Sequence, residues 1–166
     1  GVDLVGALFE RLGTEHSLFL FGGKEGVIRA VTEKIWQKAP ETKIAGTLNG
    51  YVSNKEAISV INDKKPEILL VGLGMPKQEK WIYDNLKKMP AVKVAIGVGG
   101  AFDFISGRVR RAPSFIQKIG MEWLWRLFMQ PSQWRKTWRS VMVFFWLVLR
   151  DKFYWGLKKK KCRIKN

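Results

Sequence analysis

Three short runs of uninterrupted apolar residues constrain the fold more than anything else in the chain: "LFLF" at 18–21, "ILLV" at 68–71 and "VAIGV" at 94–98. A strand that is apolar at odd and even positions alike is covered on both faces, as in parallel sheets layered between helices. The stretches between these runs carry helical spacing. Reading along the chain predicts helix near Val2 to Leu12, strand Ser17 to Phe21, helix Lys24 to Lys38 and strand Thr42 to Leu48. It continues with helix Ser53 to Lys64, strand Glu67 to Leu73, helix Pro76 to Met89 and strand Val92 to Val98. Such alternation specifies an α/β fold, a Rossmann-like, mostly parallel sheet with helices on both faces. Ser53 with Glu56 forms a capping box that marks the start of the third helix.

Glycine recurs where these strands end: Gly22-Gly23 with Gly26, Gly46 then Asn49-Gly50, Gly72 and Gly74, Gly97 with Gly99-Gly100. Ligands of open α/β sheets bind in the crevice outside the carboxyl ends of the strands, so four such turns predict a glycine-rich rim around a ligand. The stretch "EILLVGLGMPKQEKW" (Glu67 to Trp81) shows the expected junction: a strand, two glycines, then Pro76 at the first helical position with Lys77, Gln78 and Glu79 behind it. Free amides and the positive end of the helix dipole make an anion such as a diphosphate the natural guest. The spacing matches neither the phosphate loop nor the dinucleotide fingerprint.

Charge divides the chain. Residues 1–107 hold 14 Lys and Arg against 12 Asp and Glu, whereas residues 108–166 hold 16 against 2. Six of the eight tryptophans also lie in the second part. Between Arg139 and Arg150 the run "VMVFFWLVL" is apolar all round, yet ten helical residues extend only about 15 Å, half a bilayer core. Flanking Trp, Lys and Arg suit a helix lying in the membrane interface, and "KKKKCRIK" suits a polybasic tail drawn to anionic head groups. The expected organisation is a nucleotide-binding core over 1–107, a basic, Trp-rich helical membrane-associating appendage over 108–156, and a tail over 157–166. The lone Cys162 rules out an internal disulfide and a cysteine-based zinc site.

Among candidate side chains, Asp103 in "GVGGAFDF" can accept hydrogen bonds from ribose hydroxyls or a base N–H, or it can cap the short helix that follows. Phe102 or Phe104 can pack beside a ring. Arg108, Arg110 and Arg111 suit bidentate phosphate contacts, surface ion pairs or membrane contact. Gln78 offers two donors to a sugar or phosphate oxygen, and Glu79 complements the helix dipole. His16 reads as a loop residue. No Asp-x-Asp pair and no metal-ligand spacing occur, so no metal cofactor is expected, and a departing diphosphate would be met by arginines and helix amides.

Together "FLFGGKEGV", "GTLNGY", "VGLGMPKQEKWI", "GVGGAFDFISGRVRRAP" and "GMEWLWRLFMQP" resemble the WecG/TagA/CpsF family of bacterial glycosyltransferases over nearly the whole chain. The resemblance implies inverting, metal-independent transfer of N-acetylmannosamine or a related sugar from a UDP donor to a polyprenyl-diphosphate-linked N-acetylglucosamine, in teichoic acid or other cell-surface polysaccharide synthesis. It implies a peripheral enzyme at the cytoplasmic face of the membrane. The implied site comprises Asp3, Gly22, Gly23, Asn49, Gly50, Tyr51, Gly72, Gly74, Pro76, Lys77, Gln78, Glu79, Gly97, Gly99, Gly100, Phe102 and Asp103. Gln78 would lie near the transferred sugar, and Arg108, Arg111, Arg126 and Arg135 would approach phosphate. The family's proposed base is an Asp in a Pro-Asp-Gly segment that these 166 residues lack, and "GVDL" resembles an internal segment of full-length members, which places the expected base upstream of residue 1. Gln130-Pro131 and Gln133 stand where members usually carry Glu-Pro and then Arg. Implied partners are the UDP-sugar, the lipid-linked acceptor, an anionic membrane surface and a second copy of the chain, and not nucleic acid. A nucleic-acid-binding α/β module is the alternative for so basic a chain, and a non-catalytic UDP-binding protein is a third.

Overall fold

The computed structural model describes residues 2–121 and positions 124, 125, 142, 143, 146–148 and 150. The chain divides into two compact units, Gly1–Arg110 and Arg111–Asn166. In the first, helix α1 (Val2–Leu12) leads into strand β1 (Leu18–Gly22), followed by α2 (Glu25–Lys38), β2 (Ile44–Leu48), α3 (Asn54–Lys64) and β3 (Ile68–Gly72). Helix α4 (Lys77–Asn85) runs on through a 3₁₀ turn (Leu86–Lys88) to β4 (Val94–Gly97) and α5 (Ala101–Ile105). The element boundaries lie within a few residues of those the sequence predicts. Ser53 caps α3 by accepting the Glu56 amide at 3.2 Å.

All four strands are parallel, in the order β2-β1-β3-β4. Because side chains alternate across a strand, Leu18, Leu20, Ile68 and Leu70 face one layer while Phe19, Phe21, Leu69 and Val71 face the other. The first layer is completed by Val5, Phe9 and Leu12 of α1, by Val27, Ile28, Val31 and Ile35 of α2, and by Ala101 and Phe102 of α5. The second is completed by Ala57 and Ile61 of α3 and Trp81 of α4, with Met89 and Val92. Phe21 and Trp81 stack at a ring separation of 4.7 Å, and the indole N–H donates to the Asn54 side chain at 3.0 Å. β1 and β3 are buried along their length, as their apolar runs require. β4 departs from that expectation: it is an edge strand, with Val94 46% exposed.

At the amino ends of the strands, Glu67 draws three elements together. Its carboxylate takes one hydrogen bond from Lys93 beside β4 and another from His16 Nδ1 at 3.0 Å, while its amide donates to the Ser17 carbonyl and hydroxyl, each at 3.1 Å. The bond from Lys93, then that from His16, lowers the Glu67 pKa from 4.5 to about 2. His16 is thus a ligand of this cluster as well as a loop residue.

In the second unit, Pro113 precedes α6 (Ser114–Lys118), and Phe115, Ile119 and Met121 are exposed. The backbone is helical at 142, 143, 146–148 and 150, where Met142, Val143, Trp146, Leu147 and Val148 expose apolar surface and the Arg150 guanidinium lies 5.3 Å from the Trp146 ring centre. The remainder of the expected appendage, and the whole tail, lie outside the described residues. No described helix is long and apolar enough to cross a membrane.

Because Glu67 titrates lower in the folded chain than in the unfolded one, its stabilising effect is full above about pH 4.5 and disappears as pH falls toward 2. Urea unfolding of Glu67→Gln should therefore show a deficit against the native chain at pH 7 that closes on acidification through that window. A deficit independent of pH would show that the carboxylate's charge is not what holds the cluster.

Candidate functional site

Parallel strands deliver their carboxyl ends to one margin, and the turns that leave it are joined directly. β1 and β3 are in register so that Gly22 stands opposite Gly72. The Gly23 amide donates to the Gly72 carbonyl at 3.1 Å, the Gly50 amide to the Gly23 carbonyl at 2.9 Å, and the Val98 amide to the Val71 carbonyl at 2.9 Å. From β1 the chain crosses to β2 on one side, and from β2 it returns to β3 on the other, so the connections diverge between β1 and β3. That is a topological switch point, the place where open α/β sheets leave a crevice for ligand.

The glycines serve two purposes there. Gly22 (φ 120°), Gly23 (φ 70°), Gly74 (φ 79°) and Gly99 (φ 51°) adopt conformations that L side chains resist. Others admit close approach of neighbouring groups. A Cβ on Gly22 would fall 2.5 Å from the Gly72 carbonyl carbon, one on Gly72 2.4 Å from the Phe102 ring, and one on Gly97 2.8 Å from Gln78 Nε2. Gly46 does not belong to the rim at all. It sits within β2 opposite Phe19, where a Cβ would come 2.8 Å from the ring, so packing accounts for it.

Helix α2 begins at this switch point. Lys24 is its N-terminal flanking residue, and the Glu25 and Gly26 amides, at the first two helical positions, have no carbonyl one turn earlier to pair with. Lys24 is exposed, and nothing lies within 4 Å of a Cβ built on Gly26. A 14-residue helix thus starts at the switch point with an exposed cation before it and an open glycine in its first turn, an arrangement that attracts phosphate. The sequence places Gly26 in the glycine rim, but gives no role to Lys24 and favours the β3–α4 junction for the anion. "GGKEG" before a helix was the available signal.

The β3–α4 junction differs from expectation. Pro76 is not the first helical residue but precedes it, after a cis Met75-Pro76 bond. The Gln78 amide is already paired with the Gly74 carbonyl at 3.0 Å, and Glu79 in the first turn complements the dipole from within the helix. Gln78 is 3% exposed; its Oε1 accepts the Gly99 amide at 2.8 Å and its Nε2 donates to the Glu79 carboxylate at 2.8 Å. Instead of presenting both donors to a sugar, Gln78 braces the β4–α5 turn against α4, and Glu79 fixes which way its carboxamide points. Lys77 is exposed beside them.

Phe102 is 1% exposed and its ring supports Gly72 from below, so it does not face a ligand ring; Phe104 is half-buried. Gly100, not Asp103, is the N-cap of α5; Asp103 lies half-buried in the first turn, so capping no longer explains it. Asp3 is exposed in the first turn of α1, which packs beside α5. On the β2 side the Asn49 side chain accepts the Tyr51 amide at 2.9 Å, holding the Gly50 turn, and the Tyr51 ring is 75% exposed. Arg108 is exposed after α5, in the first unit, while Arg111 belongs to the second. Arg126 and Arg135 lie outside the described residues. Among the described residues no group of three or more His, Cys, Asp or Glu side chains gathers in metal-binding fashion. A shallow cavity of about 330 Å³, lined by Phe9, Lys38, Glu41 and Thr42, lies at the carboxyl ends of α1 and α2, away from the glycine turns.

A model of the glycosyl transferase WecG/TagA/CpsF family matches residues 1–157. The chain belongs to this family. It is 40% identical over 120 residues to an N-acetylglucosaminyldiphosphoundecaprenol N-acetyl-beta-D-mannosaminyltransferase of Bacillus subtilis, covering 72% of this chain and 46% of that protein. A protein of the same name from Bacillus spizizenii is 36% identical over 138 residues, covering 82% of this chain and 53% of the relative. The chain thus spans about half the length of the curated relatives it matches. Family membership gives the glycine margin its context, since a glycosyltransferase must hold an activated sugar.

Glycine substitutions separate the two purposes. Gly22→Ala meets backbone and a positive φ, and should cost about 3 kcal/mol or more in urea unfolding. Gly26→Ala, in open space at a helix start, should change stability by less than about 1 kcal/mol. A Gly22→Ala chain as stable as the native would contradict the close approach of β1 and β3 turns.

Proposed function

We propose that the chain is the donor-binding part of a glycosyltransferase that moves N-acetylmannosamine or a related sugar from UDP to a polyprenyl-diphosphate-linked N-acetylglucosamine, with inversion and without a metal. The reading is carried by the coincidence of a glycine-lined switch point with relatives whose names specify that sugar and that acceptor. The diphosphate of UDP would meet the α2 amides and Lys24, and the nucleoside would extend toward the Gly97–Gly100 turn and Asp103. Hydrogen bonds that strengthen as charge develops on the departing UDP lower the barrier. The acceptor hydroxyl needs a carboxylate base, which this proposal places upstream of residue 1. Metal independence rests on the absence of an Asp-x-Asp pair from the sequence.

A lipid-linked acceptor requires access to a bilayer. The exposed Trp146, Leu147 and Met142, with Arg150 beside them, are suited to the interface of an anionic membrane, and we place the protein there as a peripheral one on the cytoplasmic face. Nucleic-acid binding finds no support in the family. The two readings separate by salt: liposome flotation should persist at high ionic strength, whereas phosphate-backbone binding would fall linearly in log K with log salt.

The activity is tested by UDP release from UDP-N-acetylmannosamine with the lipid-diphosphate acceptor, using protein extended to the relatives' length. Turnover unaffected by EDTA is expected, with the 166 residues alone turning over little. No turnover with any of several UDP-sugars would contradict the proposal, and UDP binding without transfer would favour a non-catalytic role. Gly26→Ala should weaken UDP binding at unchanged stability.

A further inference from the structure

The turn that leaves β4 is held partly by backbone and partly by one side chain. The Val98 amide bonds the Val71 carbonyl at 2.9 Å, and the Ala101 amide closes the turn on the Val98 carbonyl at 3.0 Å. Between them the Gly99 amide donates to Gln78 Oε1 at 2.8 Å, which ties the turn to α4. The backbone is shaped around that carboxamide. A Cβ on Gly97 would lie 2.8 Å from Gln78 Nε2, and one on Gly99 3.5 Å from Oε1. Gln78 is buried, so a bond lost there is not simply replaced by one to water.

A carboxamide does not fix its own direction. Its oxygen and nitrogen are nearly the same in shape, and half a turn about the last side-chain bond exchanges them. Turned the wrong way, Nε2 would face the Gly99 N–H, donor against donor. Glu79 removes that alternative, because its carboxylate only accepts and it takes the Nε2 hydrogen at 2.8 Å. Glu79 is exposed in the first turn of α4; the helix dipole accounts for its charge there but not for this contact. The effect reaches the base of the crevice. Gly100 caps α5, and two residues further the Phe102 ring sits where a Cβ on Gly72 would meet it at 2.4 Å and one on Gly23 at 4.0 Å. A turn released from Gln78 no longer seats that ring firmly beneath the two glycines.

We propose that Glu79 is a positioning residue for nucleotide binding: by fixing the direction of the Gln78 carboxamide, it holds the β4–α5 turn and the Phe102 ring in the shape that receives the donor. Glu79 acts through Gln78 and not by touching the nucleotide. Its role in binding rests on the donor-binding reading above, whereas its hold on the turn does not. The sign of the effect is unusual. A carboxylate beside an anion site repels the anion, so a Glu79 that acted through its charge alone would weaken UDP binding, and its removal would tighten it.

Glu79→Ala in the 166-residue chain tests both parts. Without ligand, amide hydrogen exchange followed by NMR should show Gly99 exchanging about 10-fold faster than in the native chain, with Val98, bonded to backbone, unchanged. Calorimetric titration should show UDP bound about 10-fold more weakly by the variant. Unchanged exchange at Gly99 would overturn the proposal, and so would acceleration shared equally by Val98, which would mean general destabilisation. UDP affinity equal to or tighter than that of the native chain would overturn it as well. Failure of the native chain itself to bind UDP would contradict the donor-binding reading and the role of Glu79 in it, an outcome distinct from the others because the exchange comparison contains no ligand.

Discussion

The parallel pairing of β1 with β3, glycine opposite glycine at their ends, is the contact on which the rest of the molecule depends. Any side chain at Gly22 would collide with the Gly72 backbone and any at Gly72 with the Phe102 ring, so glycine is required at both positions for the strands to run side by side to their last residue with α5 packed against them. Once they do, the β2-β1-β3-β4 order sends the following turns to opposite sides of one crevice. The helix that leaves β1 starts at that crevice, with its first amides outside the helical ladder. A margin suited to an anion then follows from chain direction before any individual side chain is considered.

The two margins of the sheet divide the work. At the amino ends, Lys93, His16 and Glu67 form an ionic cluster that joins the approaches to three strands. At the carboxyl ends the turns are joined by backbone hydrogen bonds among glycines and by one buried carboxamide, that of Gln78. Backbone and buried side chains keep that rim in place without filling it. Lys24, Lys77 and Tyr51 remain exposed there for a partner.

Much of the fold was legible in the sequence because its cues are local. Continuous apolar runs marked the strands, helical spacing marked the layers, and Ser53 marked the start of α3. Strand order was not legible, since nothing local in "LFLF" states which neighbours it will have, and without strand order the choice between the β1–α2 and β3–α4 junctions had no basis. Gly46 misled because a glycine kept small by Phe19 looks in sequence like a glycine kept open for ligand. Phe102, Gln78 and Pro76 take structural positions the sequence does not announce, for a related reason. An aromatic ring, an amide and a helix-starting proline suit ligand contact as well as they suit packing, and only burial and hydrogen bonding distinguish the two. The β4 run reads as covered on both sides, yet it stands at a sheet edge, because an apolar run does not reveal a strand's place in the order.

The central claim is that an anionic nucleotide is received at the carboxyl margin, at the β1–β3 switch point. Titrating UDP into the isotopically labelled 166-residue chain and following backbone amide shifts by NMR tests it most directly. The largest changes should fall on Gly23 to Gly26, with smaller ones at Gly74 and Gly99. Shifts confined to the opposite margin, around Lys38 to Thr42 and Gly13, would contradict the account.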